Sequence, residues 1–149
     1  MRVYRITLAK YSRSLHASGM PARWNSKDVR MIYTAASRAL ACLENLVHRN
    51  ALGLDQLFRT MVIDIPDDLV IKRINSNSLP LAWQAFANYQ YTQKLGDAWI
   101  AGRKSAVLQV PSALIPQEFN YLINPDHPDF KKIRLVATES FVFDPRIKS

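Results

Sequence analysis

Alternating apolar and polar positions predict a series of short strands along this chain. The segment from Val3 to Thr7 alternates in this way with β-branched and aromatic residues, so we expect it to be the first strand. Similar patterns predict further strands at 30–33, 58–65, 70–74, 106–110 and 133–143. Segments 12–28 and 119–130 are rich in turn-forming residues and are predicted to be loops.

Apolar residues at three- and four-residue steps predict a helix over residues 37–49. They form a stripe made of Ala36, Ala39, Leu40, Leu43, Leu46 and Val47. A helical projection places Glu44 at the border of this stripe, beside the core rather than facing bulk water. A second helical stretch is predicted from Leu81 to about Ala101, with Gly102 as its stop.

The order of these elements favours an α+β fold. Strands and helices are mixed without regular βαβ alternation, and no internal repeat or low-complexity linker divides the chain. The 149 residues fit a single domain, 1–149, long enough to bury a core.

The net charge of +8 is compatible with three kinds of partner: nucleic acid, an acidic protein or an anionic small ligand. The basic residues are scattered, with no run longer than two, and no zinc-finger, basic-zipper or RNA-recognition signature is present. The charge alone does not choose among these partners.

Several common classes of site are not predicted. Cys42 is the single cysteine, which excludes an internal disulfide and favours a reducing, cytoplasmic setting. No apolar run approaches the roughly 18–20 residues of a membrane span. Glycine-rich phosphate loops, metal-ligand spacings and serine-hydrolase elbows are also missing, so we expect no metal.

The remaining polar candidates each have an ordinary structural explanation beside a functional one. Arg5 lies in an apolar strand, where it either reaches solvent from an edge or binds an anion. Arg23 suits phosphate or an aromatic face equally well. Tyr33 could be a half-buried core residue, and Glu44 could simply pair with His48 one turn later. Taken singly, these residues leave both explanations open.

Taken in order, they resemble the RES-domain family, the toxins of bacterial Xre–RES toxin–antitoxin pairs. The family is named for an arginine, a glutamate and a serine. The resemblance covers essentially the whole chain. The matching segments are YRI around Arg5, ARWN at 22–25, IYTAASRALACLENLVH at 32–48, LGDAWIAGRKSAVLQVPSALIPQEFNYLINPDHPDF at 95–130 and FVFDPRI near the end.

The resemblance implies a fold similar to that of ADP-ribosyltransferases, with a split mixed sheet around a cleft for NAD. It implies a toxin that degrades NAD by cleaving the nicotinamide–ribose bond, through hydrolysis or phosphorolysis. An alternative within the family is transfer of ADP-ribose from NAD to a protein. The implied partner is an Xre-type helix-turn-helix antitoxin, through which alone the toxin touches DNA. A non-catalytic, basic nucleic-acid- or antitoxin-binding module is the alternative from another class.

By the motif matches, Arg5, Glu44 and Ser105 carry over as the catalytic set. Arg5 and Arg23 would grip the NAD pyrophosphate, and Tyr33 would stack on nicotinamide. Glu44 would stabilise positive charge on the ribose, while Ser105 would hydrogen-bond the nicotinamide ribose or its amide.

Two positions depart from the family pattern, because Ala22 and Asp28 replace its usual glycines. A positive φ would suit Asp28 better than Ala22.

Overall fold

Seven strands form one mixed sheet in the computed structural model, which describes residues 1–48 and 57–147. In chain order they are β1 Arg2–Leu8, β2 Ile32–Ala35, β3 Phe58–Asp64, β4 Ile71–Arg73, β5 Val107–Pro111, β6 Phe119–Ile123 and β7 Arg134–Phe141. Their order across the sheet is β4-β5-β6-β2-β1-β3-β7. Within the described residues β4 and β5 are parallel to each other, and the other neighbouring pairs are antiparallel.

The sheet is weakly joined at its centre, between β1 and β2. These strands share a single registered pair, Tyr4 opposite Ala35, whereas β1 pairs with β3 over its whole length. The junction divides the sheet into one part made of β4, β5, β6 and β2 and another made of β1, β3 and β7. The predicted α+β fold with a split mixed sheet is therefore confirmed.

The first helix, α1, spans Arg38–His48 and packs against β1 and β2. The hydroxyl of Ser37 accepts a 3.1 Å hydrogen bond from the Leu40 amide, which caps the start of the helix. Leu40 and Ala41 are buried, in agreement with the predicted apolar stripe. The predicted last residue of this helix, Arg49, lies outside the described residues.

The second helix, α2, spans Tyr89–Gly102 and is shorter than the predicted stretch. Residues 81–88 form turns and a short 3-10 helix, and Ala82 has a φ of 59°, which interrupts regular helix. The C-terminal end is close to the prediction, with Arg103 taking the left-handed conformation and closing the last turn onto the Trp99 carbonyl. None of the described helices is long and apolar enough to cross a membrane.

The prediction that 119–130 is entirely loop was wrong, because β6 begins at Phe119. This strand lies inside the sheet, bonded to β5 on one side and β2 on the other. Its residues Tyr121, Leu122 and Ile123 are buried. The Asn-Pro and His-Pro signals that favoured a loop apply only after the strand, where the chain turns and forms the 3-10 helix Pro128–Lys132.

Candidate active site

A cleft of about 460 Å³ opens where β1 and β2 meet. It is lined by β1, the loop before β2, β2 itself and the inner face of α1. Its volume lies within the range of sites that bind cofactors and other small organic ligands. Four of the five predicted site residues line it: Arg5, Arg23, Tyr33 and Glu44.

Glu44 is held in this cleft by hydrogen bonds from two distant segments. Its Oε1 accepts from the Ser112 hydroxyl at 2.9 Å and from Asn120 Nδ2 at 2.8 Å. On the other side, Oε2 lies 3.6 Å from His48 Nε2, one helical turn along α1. The side chain keeps 21% of its exposure, so a ligand can reach a carboxylate whose orientation is already set.

These contacts decide the charge of Glu44. Burial is the largest single influence and raises its pKa, but the nearby His48 imidazole and the hydrogen bonds from Asn120 and Ser112 together outweigh burial. The net effect is a pKa below the ordinary value for glutamate, so Glu44 is ionised at neutral pH.

Arg5 presents a second kind of charge, a cationic guanidinium, to the same cleft. Its Nη1 donates to the Tyr33 carbonyl at 3.3 Å, across the junction where β1 and β2 part. Burial lowers the pKa of Arg5, and within 1–48 and 57–147 no carboxylate lies within 4.0 Å of it. A guanidinium buried without a carboxylate is a ready partner for an anionic ligand.

Arg23 is the second guanidinium at the cleft, and aromatic rings hold it. Its Cζ lies 4.6 Å from the centre of the Tyr89 ring and 5.7 Å from that of Trp83. Its Nη1 donates to the Trp83 carbonyl at 3.4 Å. The aromatic alternative and the anion-binding alternative are therefore compatible, because ring stacking leaves the N–H groups at the guanidinium edge available.

Tyr33 lines the cleft but uses its hydroxyl to hold a neighbouring turn. The hydroxyl donates to Asn25 Oδ1 at 2.6 Å and accepts from the Trp24 amide at 3.1 Å. Burial raises the pKa of Tyr33 well above its ordinary value, so the hydroxyl stays protonated at physiological pH. Stacking of its ring on nicotinamide stays a prediction.

Ser105 is the predicted residue that the structure does not bring to the cleft. It is 2% exposed, and its hydroxyl accepts from Trp99 Nε1 and donates to the Val107 carbonyl, each at 2.9 Å. Both bonds are internal to the fold and leave no surface for a ligand. The serine beside the carboxylate is instead Ser112, seven positions later and past the other end of β5.

Sequence reasoning missed both Ser112 and Asn120. Serines lie on either side of β5, and only the direction of that strand in the sheet decides which of them reaches Glu44. Asn120 was overlooked because its strand had been interpreted as loop. The aromatic and aliphatic residues of 119–123 are the sequence signal that could have found the strand that carries Asn120, whereas no local signal distinguishes Ser112 from Ser105.

The two departures from the family's glycines are both accommodated. Asp28 has a φ of 69°, the left-handed conformation that aspartate tolerates, and its amide donates to the Gly19 carbonyl at 2.8 Å. Ala22 keeps an ordinary φ, and its amide donates to the Asn25 carbonyl at 3.0 Å. The loop that carries Arg23 therefore needs no glycine at either position.

No group of three or more histidine, cysteine, aspartate or glutamate side chains that could hold a metal ion occurs among residues 1–48 and 57–147.

Comparisons with known proteins show the family of this chain. The model of the RES domain matches residues 2–144. A "Prs ADP-ribosylating toxin" of Sphingobium sp. is 38% identical over 127 residues, covering 84% of this chain and 79% of the relative. A "Toxin Res" of Yersinia enterocolitica is 35% identical over 153 residues, covering 99% of this chain and all of the relative.

The fold has a solved counterpart in the MbcT–MbcA toxin–antitoxin complex of M. tuberculosis. The TM-score is 0.77 at 17% identity, over 95% of this chain and 84% of the other, which shows similarity of fold. Together with the match over residues 2–144, the sequence relatives confirm the predicted resemblance: this chain belongs to the RES-domain family.

Proposed function

We propose that this chain is the toxin of a toxin–antitoxin pair and that it consumes NAD by cleaving the bond between nicotinamide and its ribose. The observation that carries the proposal is the ionised Glu44, held in a cleft beside two guanidinium groups, those of Arg5 and Arg23. The names of the relatives, a Toxin Res and an ADP-ribosylating toxin, support both the toxic role and the substrate.

The charges of the cleft suit the two halves of NAD. Its pyrophosphate carries negative charge on tetrahedral phosphate groups, and a guanidinium can donate two parallel hydrogen bonds to their oxygens. Arg5 and Arg23 supply that chemistry with no carboxylate within 4.0 Å in the described part of the chain. The nicotinamide half then lies toward Glu44 and the Tyr33 ring, in line with the predicted stacking role.

Glu44 promotes cleavage of the nicotinamide–ribose bond. The electron pair of the nicotinamide–ribose bond moves to the pyridinium nitrogen, which leaves neutral nicotinamide and positive charge on the ribose. An ionised carboxylate in a partly buried site stabilises that charge strongly because little water screens it. Ser112 and Asn120 keep the carboxylate ionised and oriented, a role different from the substrate contact predicted for Ser105.

The bond that forms involves an oxygen acceptor. With water, a new carbon–oxygen bond gives ADP-ribose, and the proton of the water passes to Glu44 and then to solvent. With inorganic phosphate, the new carbon–oxygen bond gives ADP-ribose with a phosphate on the ribose carbon that carried nicotinamide. Either outcome removes NAD from the cytoplasm, where we place the toxin, and arrests growth.

A second candidate, ADP-ribosylation of a protein, is favoured by the 38% identical relative named for that activity. It shares the cleavage of the nicotinamide–ribose bond and differs in the acceptor, which is then a side chain of the target protein. Glu44, Arg5 and Arg23 keep the same parts in both reactions.

We further propose that an Xre-type helix-turn-helix antitoxin covers the cleft and that the toxin reaches DNA only through it. A toxin–antitoxin complex in the structural neighbour supports an antitoxin partner. A structure of the cognate complex in which NAD still reached Arg5 and Glu44 would contradict this part of the proposal.

The proposal is tested by incubating the purified chain with NAD, with and without phosphate, and following nicotinamide release. A mass spectrum of the second product identifies water or phosphate as the acceptor, and label from NAD on a protein band identifies protein transfer. Glu44→Gln should release no nicotinamide. The proposal fails if wild type releases none under either condition and is as harmless in cells as Glu44→Ala.

A further inference from the structure

One face of α2 holds the main chain of the segment that carries Arg23, which we call the arginine turn (residues 22–26). Gln93 Nε2 donates to the Ala22 carbonyl at 2.9 Å. The hydroxyl of Thr92 donates to the Arg23 carbonyl at 2.6 Å. Two consecutive carbonyls of the turn are thus bound by two consecutive side chains of the helix.

The same face of the helix holds the end of the arginine turn as well. Asp97 accepts from the Ser26 amide at 3.0 Å through Oδ1 and from the Ser26 hydroxyl at 2.6 Å through Oδ2. Gln93 and Asp97, which bind the two ends of the turn, are four residues apart and therefore lie on the same side of α2. The arginine turn is therefore fastened at both ends to one rigid element.

Between these contacts the turn lies directly against the helix axis at Gly96. A Cβ added to Gly96 would fall 1.7 Å from the Trp24 carbonyl oxygen and 2.8 Å from its carbonyl carbon. Both atoms belong to main chain, so no side-chain rotation can relieve the overlap. Any larger residue at 96 has to move the turn or the helix by about 1 Å or more before contacts reach 3.0 Å.

The helix also supports the guanidinium itself. Tyr89, the first residue of α2, places its ring 4.6 Å from Arg23 Cζ, and Thr92 binds the Arg23 carbonyl one turn later. One element thus determines both the backbone position of Arg23 and the direction of its side chain.

We propose that α2 is a positioning element for Arg23, and that Gly96 and Thr92 are its positioning residues. They determine where the cleft binds the pyrophosphate of its substrate. This inference rests on the proposed function, since it assigns Arg23 to the anionic half of NAD. It adds a helix and two residues that do not line the cleft.

The expected effect falls on binding more than on the chemical step. The groups that hold Glu44 come from α1, from the residue after β5 and from β6, and none lies on α2. A shift of the arginine turn should therefore weaken binding of the substrate phosphate by Arg23 without moving the Glu44 carboxylate. Loss of a hydrogen bond between charged groups at the phosphate can weaken binding by about tenfold to a hundredfold.

The main experiment compares Gly96→Ala with Gly102→Ala, a matched change in the same helix where an added Cβ meets nothing within 4 Å. Binding of NAD is measured by calorimetry in a Glu44→Gln background, and of ADP-ribose in the wild-type background. Gly96→Ala should weaken both by about tenfold to a hundredfold, and so should Arg23→Ala. Gly102→Ala should change neither by more than about twofold.

Turnover adds a readout that general destabilisation would not produce. In Gly96→Ala we expect KM for NAD to rise by about tenfold or more, with kcat within about threefold of wild type and an unchanged pH profile. Combining Gly96→Ala with Arg23→Ala should weaken binding no further than Arg23→Ala alone, because both act through one guanidinium.

Two milder substitutions at Thr92 test the role of α2 if Gly96→Ala does not fold. Thr92→Val removes the hydroxyl but keeps the shape, and should weaken ADP-ribose binding by about threefold to tenfold. Thr92→Ser restores the hydroxyl and should restore binding.

The outcomes separate the two proposals. Absence of NAD and ADP-ribose binding by wild type overturns the proposed function. Binding that Arg23→Ala weakens, but that neither Gly96→Ala nor Thr92→Val weakens, overturns the role of α2. Weak ADP-ribose binding that is equal in Thr92→Val and Thr92→Ser has the same meaning, because the hydroxyl then makes no difference.

Discussion

The hydroxyl of Ser112 donates a 2.9 Å hydrogen bond to Glu44 Oε1 across 68 residues of sequence. Asn120 donates to the same oxygen at 2.8 Å, so two neutral donors bind one oxygen of the carboxylate. Such donors stabilise the ionised form of a partly buried acid and leave its second oxygen nearer to solvent and His48. The arrangement suits a group that must be charged and immobile before substrate arrives.

Removal of this charge should abolish turnover and leave the fold intact. Glu44→Gln keeps the shape of the side chain but not its charge, so we expect kcat to fall by about a hundredfold to a thousandfold. Nicotinamide release measures the activity, and circular dichroism measures the fold. The matched control is Glu139→Gln, which removes an exposed carboxylate paired with Arg38 and should leave kcat unchanged. Equal losses in both variants would refute the role of Glu44.

The pH dependence should report the lowered pKa of Glu44. The acid limb of kcat/KM in wild type is expected below the ordinary glutamate value of about 4.3, because the free protein keeps Glu44 ionised there. Ser112→Ala removes one donor and should move this limb to higher pH. The ionised form stabilises the fold above about pH 4.3 and this stabilisation is lost as pH falls further. An acid limb that Ser112→Ala leaves in place would contradict the assignment.

Ser105 and Ser112 should respond differently to the same substitution. Ser105→Ala leaves the buried Trp99 Nε1 without its acceptor, so the free energy of unfolding should fall by about 1–3 kcal/mol with kcat/KM nearly unchanged. Ser112→Ala should reduce kcat. Urea denaturation and steady-state kinetics on both variants measure the two effects. A loss of kcat confined to Ser105→Ala would restore the original prediction.

Tyr33→Phe separates the two roles of that tyrosine. The ring is kept for stacking, but the bonds to Asn25 and the Trp24 amide are lost. We expect the free energy of unfolding to fall by about 1–2 kcal/mol and KM for NAD to rise, because the arginine turn loses an anchor. The measurements are urea denaturation and initial rates. An unchanged KM would mean that the hydroxyl does not position the turn for binding.

Replacement of Arg5 should raise the stability of the ligand-free protein and remove ligand binding. Arg5→Met replaces a partly buried cation, which has no carboxylate within 4.0 Å in the described part of the chain, by an apolar side chain, so the ligand-free protein should become more stable by about 1 kcal/mol. Stabilisation of wild type by added ADP-ribose should disappear in the variant. Thermal unfolding with and without ADP-ribose measures both effects. Arg2→Met on the same strand is the control, because Arg2 is half exposed and its loss should change stability by less than about 0.5 kcal/mol.

Local patterns were sufficient for the parts of the site that one element determines. The apolar stripe of α1 placed Glu44 at its border, and the structure finds that side chain between the core and the cleft. Alternation likewise placed Arg5 on an apolar strand and Tyr33 in the next strand. Each of these positions follows from a periodicity of two or 3.6 residues, which the order of residues alone contains.

Long-range pairing decided the parts that local patterns could not reach. The turn signals that follow β6 led to the wrong prediction that this segment is loop. The position of β6 between β5 and β2 depends on hydrogen bonds to both strands. The choice between Ser105 and Ser112 depended on which end of β5 faces the cleft. The importance of Gly96 depends on a main-chain atom of Trp24, far away in sequence.

By itself the sequence determined the α+β class, the family resemblance, the helix that carries Glu44 and the candidates Arg5, Arg23 and Tyr33. These follow from residue order and from periodicities within single elements. Only the tertiary structure decided which serine binds Glu44, how Asn120 joins it and how α2 holds the arginine turn. Those contacts join segments that the chain separates by tens of residues, and packing of strands and helices, not local propensity, brings them together.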